Sequence, residues 1–156
     1  MAATLSAMIR SRFSAMALAL LCGCAGPTRV QHFQGPDPAL PFSRAVLVGD
    51  TLYVAGHLGL DPDTGRAPAD PAVEVELLLD GFAGTLGRAG LTMDHLVDVQ
   101  VYCSDVDLYD TFNRAYSARF SGDYPARAFI GSGTLLRGAR FEMLGVASRL
   151  AAVKGR

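Results

Sequence analysis

The sequence predicts an α+β domain in which two helices cover one face of a mixed sheet, in the order β-β-α-β-α-β-β. Three observations predict it. The 156 residues are 50% hydrophobic and 19% charged, which is one domain's length with material for a packed core. Two segments carry apolar residues at helical spacing, and the segments around them alternate or run apolar over strand lengths. Turn and cap residues stand at the boundaries between these segments.

The elements follow in order. Arg44-Ala45-Val46-Leu47-Val48 and Thr51-Leu52-Tyr53-Val54-Ala55-Gly56 are strand-like runs. Between them Gly49-Asp50 supplies a two-residue turn, since glycine accepts positive φ at the first position. Asp61-Pro62-Asp63-Thr64-Gly65 is a turn-rich loop. Asp70 offers an oxygen acceptor at a helix cap, and Pro71 suits the first helical position. Val75, Leu78, Leu79, Phe82 and Leu86 then recur at helical spacing, and Gly90 closes the run. Val97 to Cys103 alternates as a strand with one buried face, Cys103 reading as a small buried hydrophobe. Asp105 or Asp107 caps a second helix. Its stripe of Tyr109, Phe112, Tyr116 and Phe120 reads as core packing, not as a base-stacking platform. Two strands end the domain, about Arg127 to Gly131 and about Arg140 to Ala147, joined by a Gly-containing turn.

Ahead of the domain, Arg10 and Arg12 precede an apolar stretch, Phe13 to Leu21, that ends in Leu21-Cys22-Gly23-Cys24-Ala25. Positive flank, short apolar segment and small-residue site make the plan of a bacterial export signal. Leu-Cys-Gly-Cys resembles a lipobox, with Cys22 where Ala or Ser is usual. On this reading residues 1–23 are a signal peptide and Cys24 is the lipidated mature N-terminus. Residues 24–40, rich in Pro, Gly and Gln, are then a tether, and 41–150 the domain. The protein is expected in the periplasm, attached to a membrane through the Cys24 lipid alone. The competing reading is a start at Met16 or further downstream, which gives a cytoplasmic protein.

Charge and cysteine usage exclude several classes. Lys+Arg is 14 and Asp+Glu is 15, without the basic footprint that a nucleic-acid partner requires. Loss of Arg10 and Arg12 with the signal leaves 12 basic against 15 acidic groups, a net of −3. The three cysteines, Cys22, Cys24 and Cys103, are too few for a disulfide framework. They also lack a spacing with histidine that would build a zinc site. No apolar run reaches the roughly 18 residues of a spanning helix.

Two charges interrupt apolar strands. Arg127 sits in Tyr124-Pro125-Ala126-Arg127-Ala128-Phe129-Ile130, and Glu142 in Arg140-Phe141-Glu142-Met143-Leu144. Ionised groups there are costly unless paired or solvated in a site. One reading is a cross-strand ion pair or charges on a solvent face. The other is a guanidinium fork for a substrate carboxylate, with a carboxylate acting on water. Periodicity leaves both open.

From Pro41 to Ser148 the chain resembles the Rid family, the reactive intermediate deaminases or YjgF-like proteins. The resemblance rests on Pro41-Phe42-Ser43-Arg44, Tyr53-Val54-Ala55-Gly56-His57-Leu58, Asp61-Pro62-Asp63-Thr64-Gly65 and Phe112-Asn113-Arg114-Ala115-Tyr116. Above all it rests on Tyr124-Pro125-Ala126-Arg127 followed by Leu136-Arg137-Gly138-Ala139-Arg140-Phe141-Glu142. It implies a chorismate-mutase-like fold, a homotrimer with sites in clefts between subunits, and no metal or organic cofactor. It also implies hydrolysis of 2-imino acids, formed from enamines, to 2-oxo acids and ammonia. In that role Arg127 grips the substrate carboxylate and Glu142 positions and deprotonates water. Gly56 matches a glycine lying close to the ligand, and Asn113 a polar residue near the site. Four substrate-binding positions depart from the family: Phe42 replaces tyrosine, Ala55 serine, His57 glutamine, and Phe129 a residue that is often small. These changes imply a more apolar pocket for a larger side chain, or a member that binds small carboxylates or acts as a chaperone-like module with weak turnover. His57 reads either as a hydrogen-bonded structural residue or as a proton shuttle.

Overall fold

The computed structural model describes residues 29–37 and 39–151. The expected signal peptide, Cys24 and residues 25–28 and 38 of the expected tether lie outside the described residues. Six strands form one mixed sheet: β1 (Val30–Phe33), β2 (Ala45–Val48), β3 (Thr51–Leu58), β4 (Leu96–Cys103), β5 (Ala126–Gly131) and β6 (Phe141–Ser148). Their spatial order is β1-β2-β3-β6-β4-β5, antiparallel throughout except for the parallel pair β4 and β5. The helices are α1 (Pro71–Arg88) and α2 (Tyr109–Ser117).

Local signals account for most of these elements. Val48 pairs with Thr51 across Gly49-Asp50, and Gly49 has φ of 59°, so the two-residue turn falls where the glycine allows it. The Asp70 carboxylate accepts from the Ala72 N–H at 2.8 Å and Pro71 occupies the first turn. Val75, Leu78, Leu79, Phe82 and Leu86 are fully buried against the sheet. In the second helix Phe112 and Tyr116 are buried, while Tyr109 is half-exposed at its start. Asp105 accepts from the Asp107 N–H at 3.1 Å and so caps a short 3-10 turn (Val106–Leu108) that leads into α2.

Three features differ from the sequence reading. Val30–Phe33, within the stretch read as tether, pairs along its length with β2 as an edge strand. Only Phe33 of the four is buried, so the segment has no apolar pattern of its own to announce it. The last two strands are not neighbours either: β6 lies between β3 and β4, and β5 is the far edge. Finally, β3 carries a bulge. Val54 pairs with Gly145 and His57 with Met143, so Ala55 and Gly56 together oppose Leu144. The extra residue shifts the side-chain alternation, and His57 points to the helix side as Leu52 and Val54 do.

One face of the sheet, carrying Leu52, Val54, Val99, Val101, Cys103, Phe141, Met143 and Ala147, forms the core with the helices. The opposite face carries Tyr53, Val97, Gln100, Tyr102, Glu142, Leu144 and Val146, all exposed or half-buried.

Candidate active site

The residues singled out from the sequence fall into two groups, one on each face of the sheet. Arg127 and Phe129 alternate along β5 on the helix side. Phe129 packs edge-on against Tyr109 and Phe112, with ring centroids 4.9 and 5.6 Å apart. The Arg127 guanidinium carbon lies 4.7 Å from the Tyr116 ring centroid, 5.8 Å from Tyr109 and 5.9 Å from Phe129. Rings attract the cation through their faces and leave its in-plane N–H groups free. One of these, on Nη2, donates to the Tyr109 hydroxyl at 3.5 Å. Among the described residues no carboxylate forms an ion pair with Arg127. The head is held by its plane, and the fork is available.

Arg127 opens into a cleft of about 570 Å³ lined also by Asp110, Asn113, Arg114, Tyr116, Ser117, Tyr124 and Pro125. One side of α2, from Asp110 to Ser117, and the loop before β5 build it. Asn113 therefore lines the same cleft as Arg127. Tyr116 is 4% exposed, and its hydroxyl is buried without a hydrogen-bond partner. Burial pushes its pKa up to about 12, against the opposing pull of Arg127, so the hydroxyl stays protonated. Sequence reasoning assigned Tyr116 to the core and missed its place in this cleft. Asp110, Asn113, Arg114 and Ser117 add polar and charged groups to the lining beside Arg127.

The second group is on the open face. Phe141 and Met143 are buried under the helices, so Glu142 between them projects the other way. Its carboxylate stands over the bulge: a Cβ built on Gly56 would overlap Oε1 and lie 3.0 Å from Cδ. Glycine at this position lets the backbone and the acid approach each other. Ala55, half-buried, is the other bulge residue. Phe42 is 48% exposed in the loop before β2, and no ring contact ties it to either group. The ion pair weighed for Arg127 and Glu142 is not formed, because β4 separates their strands and they face opposite sides.

His57 leaves the list of substrate-contacting residues. It is fully buried, edge-on to Phe82 at 4.9 Å. Its Nδ1 lies 2.7 Å from the Ala55 carbonyl, which only accepts, so Nδ1 carries the proton and donates. Nε2 lies within hydrogen-bond distance, 2.8 Å, of the Thr85 hydroxyl, whose oxygen is also 3.0 Å from the Gly81 carbonyl. Burial, aided by the nearby Arg44 charge, lowers its pKa to about 4 and keeps the ring neutral. It pins the bulge to α1.

The arginine that does pair is Arg140. Its guanidinium binds the fully buried Glu74 carboxylate and also donates to the Ala69 carbonyl at 2.6 Å. Glu74 accepts in addition from the Arg140 and Phe141 N–H groups at 2.6 and 3.0 Å, tying α1 to the start of β6. The sequence reading did not pick out Glu74. Its signal was an acid beside Val75 at the start of the apolar stripe. Among the described residues no cluster of three or more potential ligands could hold a metal ion.

With this geometry in view, the chain compares as follows with known proteins. Residues 33–149 match the family model described as Endoribonuclease L-PSP. A 2-iminobutanoate/2-iminopropanoate deaminase of Bos taurus is 34% identical over 115 residues, 73% of this chain and 84% of the relative. A crystal structure of an endoribonuclease-like protein from Thermotoga maritima superposes with a TM-score of 0.69 at 27% identity, covering 80% of this chain and 98% of that one. The YjgF gene product of E. coli gives a TM-score of 0.68 at 27% identity, covering 74% and 94%.

Proposed function

The chain belongs to the Endoribonuclease L-PSP family, the Rid or YjgF-like proteins, and from that premise we propose that it hydrolyses 2-imino acids to 2-oxo acids and ammonia. The observation that carries this reading is the Arg127 fork, held by three rings and facing a cleft, with no carboxylate among the described residues paired to it. A planar guanidinium in that state suits a ligand carboxylate in a bidentate pair. Once the carboxylate is fixed, the C=N carbon has a defined position. Glu142 takes a proton from water as the oxygen bonds to that carbon. The proton passes to the nitrogen, the C–N bond breaks, and ammonia leaves with the carbonyl formed. An iminium carbon is already electrophilic, so orientation and one base are sufficient chemistry.

Arg127 and Glu142 face opposite sides of one sheet, so a site that uses both takes them from two chains. The open face with Tyr53, Leu144 and Val146 supplies apolar surface for such an assembly, and we assign it to the interface of a homotrimer. A ribonucleolytic role would need a basic track for the phosphate backbone, and 15 acidic against 14 basic residues do not supply one. The test is ammonia release from 2-iminobutanoate and 2-iminopropanoate generated in place by an amino-acid oxidase. Arg127→Lys should lose about 2–4 kcal/mol of transition-state stabilisation, because an ammonium cannot reproduce the fork. Glu142→Gln should cut turnover by about 10²-fold with ligand binding retained. Unchanged turnover in both variants rejects the assignment.

Export remains part of the proposal through Cys24. The intact mass of the protein from its host should begin at a lipidated Cys24, and an unlipidated species starting elsewhere would end that reading.

A further inference from the structure

The Tyr116 hydroxyl is a buried donor with no acceptor, while the other buried polar side chains among the described residues are bonded. Such a group destabilises the folded state when left unpaired. Phenylalanine would fill the same ring site between Phe112, at 5.5 Å, and Phe120, at 4.8 Å, without that cost. Packing therefore explains the ring and leaves the hydroxyl unexplained. What lies around it points to a ligand: Tyr116 lines the cleft, and its ring carries the guanidinium of Arg127.

We propose that the Tyr116 hydroxyl is a second donor to the substrate carboxylate, uncovered when that carboxylate draws Arg127 off the ring. This rests on the deaminase reading above and adds a carboxylate-binding residue to it. In the unliganded chain the cation–π stack occupies the ring face, and the hydroxyl is closed from solvent. A carboxylate offers the guanidinium a charge-assisted bidentate pair, which is stronger than an exposed cation–π contact. Moving the guanidinium towards the ligand removes its cover from the tyrosine. The carboxylate has lone pairs beyond the two used by the fork, and a hydroxyl that stays protonated meets one of them. The resting stack and the liganded clamp are thus two uses of the same pair of side chains. The unliganded state bears the unpaired hydroxyl, and the ligand relieves it.

The measurement is a pair of readouts on wild type and Tyr116→Phe, both as the full assembled protein. The first is the Kd of 2-oxobutanoate, a non-reacting carboxylate, by calorimetry. The second is unfolding of the unliganded protein. Loss of the donor should weaken 2-oxobutanoate about ten- to a hundred-fold, the range for a hydrogen bond to a charged group. The same substitution should leave the unliganded protein as stable as wild type or more so. The two effects run in opposite directions, which no purely structural role produces. Equal Kd values for the two proteins would overturn the proposal, as would no binding to wild type. Weaker binding by the variant together with no turnover by wild type would sustain the donor and reject the deaminase instead.

Discussion

Replacing His57 with glutamine, the residue usual at this position in the resembling family, should flatten the acid dependence of stability. The native ring is fully buried, with Nδ1 donating to the Ala55 carbonyl and Nε2 hydrogen-bonded to the Thr85 hydroxyl. Burial and the Arg44 charge bring its pKa from 6.5 down to about 4. In the unfolded chain the proton binds near pH 6.5, and in the folded chain only near pH 4. Between those values the unfolded state holds more protons, so stability falls as the pH drops. The contribution is complete above pH 6.5 and is lost on approach to pH 4. The gap from 6.5 to about 4, at about 1.4 kcal/mol per pH unit, gives roughly 3 kcal/mol. Urea unfolding of wild type and His57→Gln at pH 7.0 and near pH 4.5, at matched protein concentration, reads it. Wild type should lose about 2–3 kcal/mol more than the variant over that interval. Asp61 and Asp94, whose carboxyls hydrogen bonds hold below the usual range, titrate lower and equally in both proteins. Parallel pH profiles for the two proteins would show that His57 is not the buried neutral group described above.

Two further substitutions test the supports of the site. Gly56→Ala places a Cβ on the Glu142 carboxylate and should lower turnover at least about ten-fold with little change in Tm, since the acid must move and the core does not. Unchanged kcat/KM would remove Gly56 from the site. Glu74→Gln leaves Arg140 without its counter-charge and should cost about 3 kcal/mol in chemical denaturation, at the low end for breaking a buried pair because Arg140 is partly solvated. A loss below about 1 kcal/mol would mean that the backbone contacts of Glu74 survive on the amide.

What the sequence disclosed depended on how local each signal is. The first helix was legible because its start, stripe and end are written within 21 residues, from Asp70 to Gly90. β1 was not, because Val30–Phe33 is a strand only through its pairing with Ala45–Val48. The same holds for the placement of β6 between β3 and β4, since strand order is decided by contacts distant along the chain. The bulge had one mark in the sequence, Gly56 inside an otherwise strand-like run. Strict alternation without the bulge would put His57 on the open face, whereas the bulge turns it into the core. The charges at Arg127 and Glu142 stood out because each interrupts an apolar strand. Their mutual geometry could not be read, because it depends on which face of each strand the helices cover. Tyr116 gave no warning: its spacing is that of a core residue, and only the buried hydroxyl separates it from one.

The opposite placement of Arg127 and Glu142 leads to a result that a one-chain site cannot produce. Arg127→Lys and Glu142→Gln are each expected to make an inactive homotrimer. When the two variants are unfolded together and reassembled, the proposed assembly pairs one chain's residue 127 with its neighbour's residue 142 in each site. A site is then wild type wherever the chain giving position 127 is the Glu142→Gln variant and its neighbour is the Arg127→Lys variant. Random mixing at equal amounts restores about one quarter of the sites, and activity should rise to about one quarter of a wild-type sample treated in the same way. If each site were built within one chain, every site would keep one defect, and mixing would restore nothing. The contrast needs no knowledge of the physiological imino acid, since any substrate turned over by wild type serves. It also separates the assembly from the chemistry. Activity regained on mixing places Arg127 and Glu142 in one shared cleft, whereas two active single variants would reject their catalytic roles. Two inactive variants that stay inactive when mixed, with mixed trimers verified by mass, would reject the cleft between subunits.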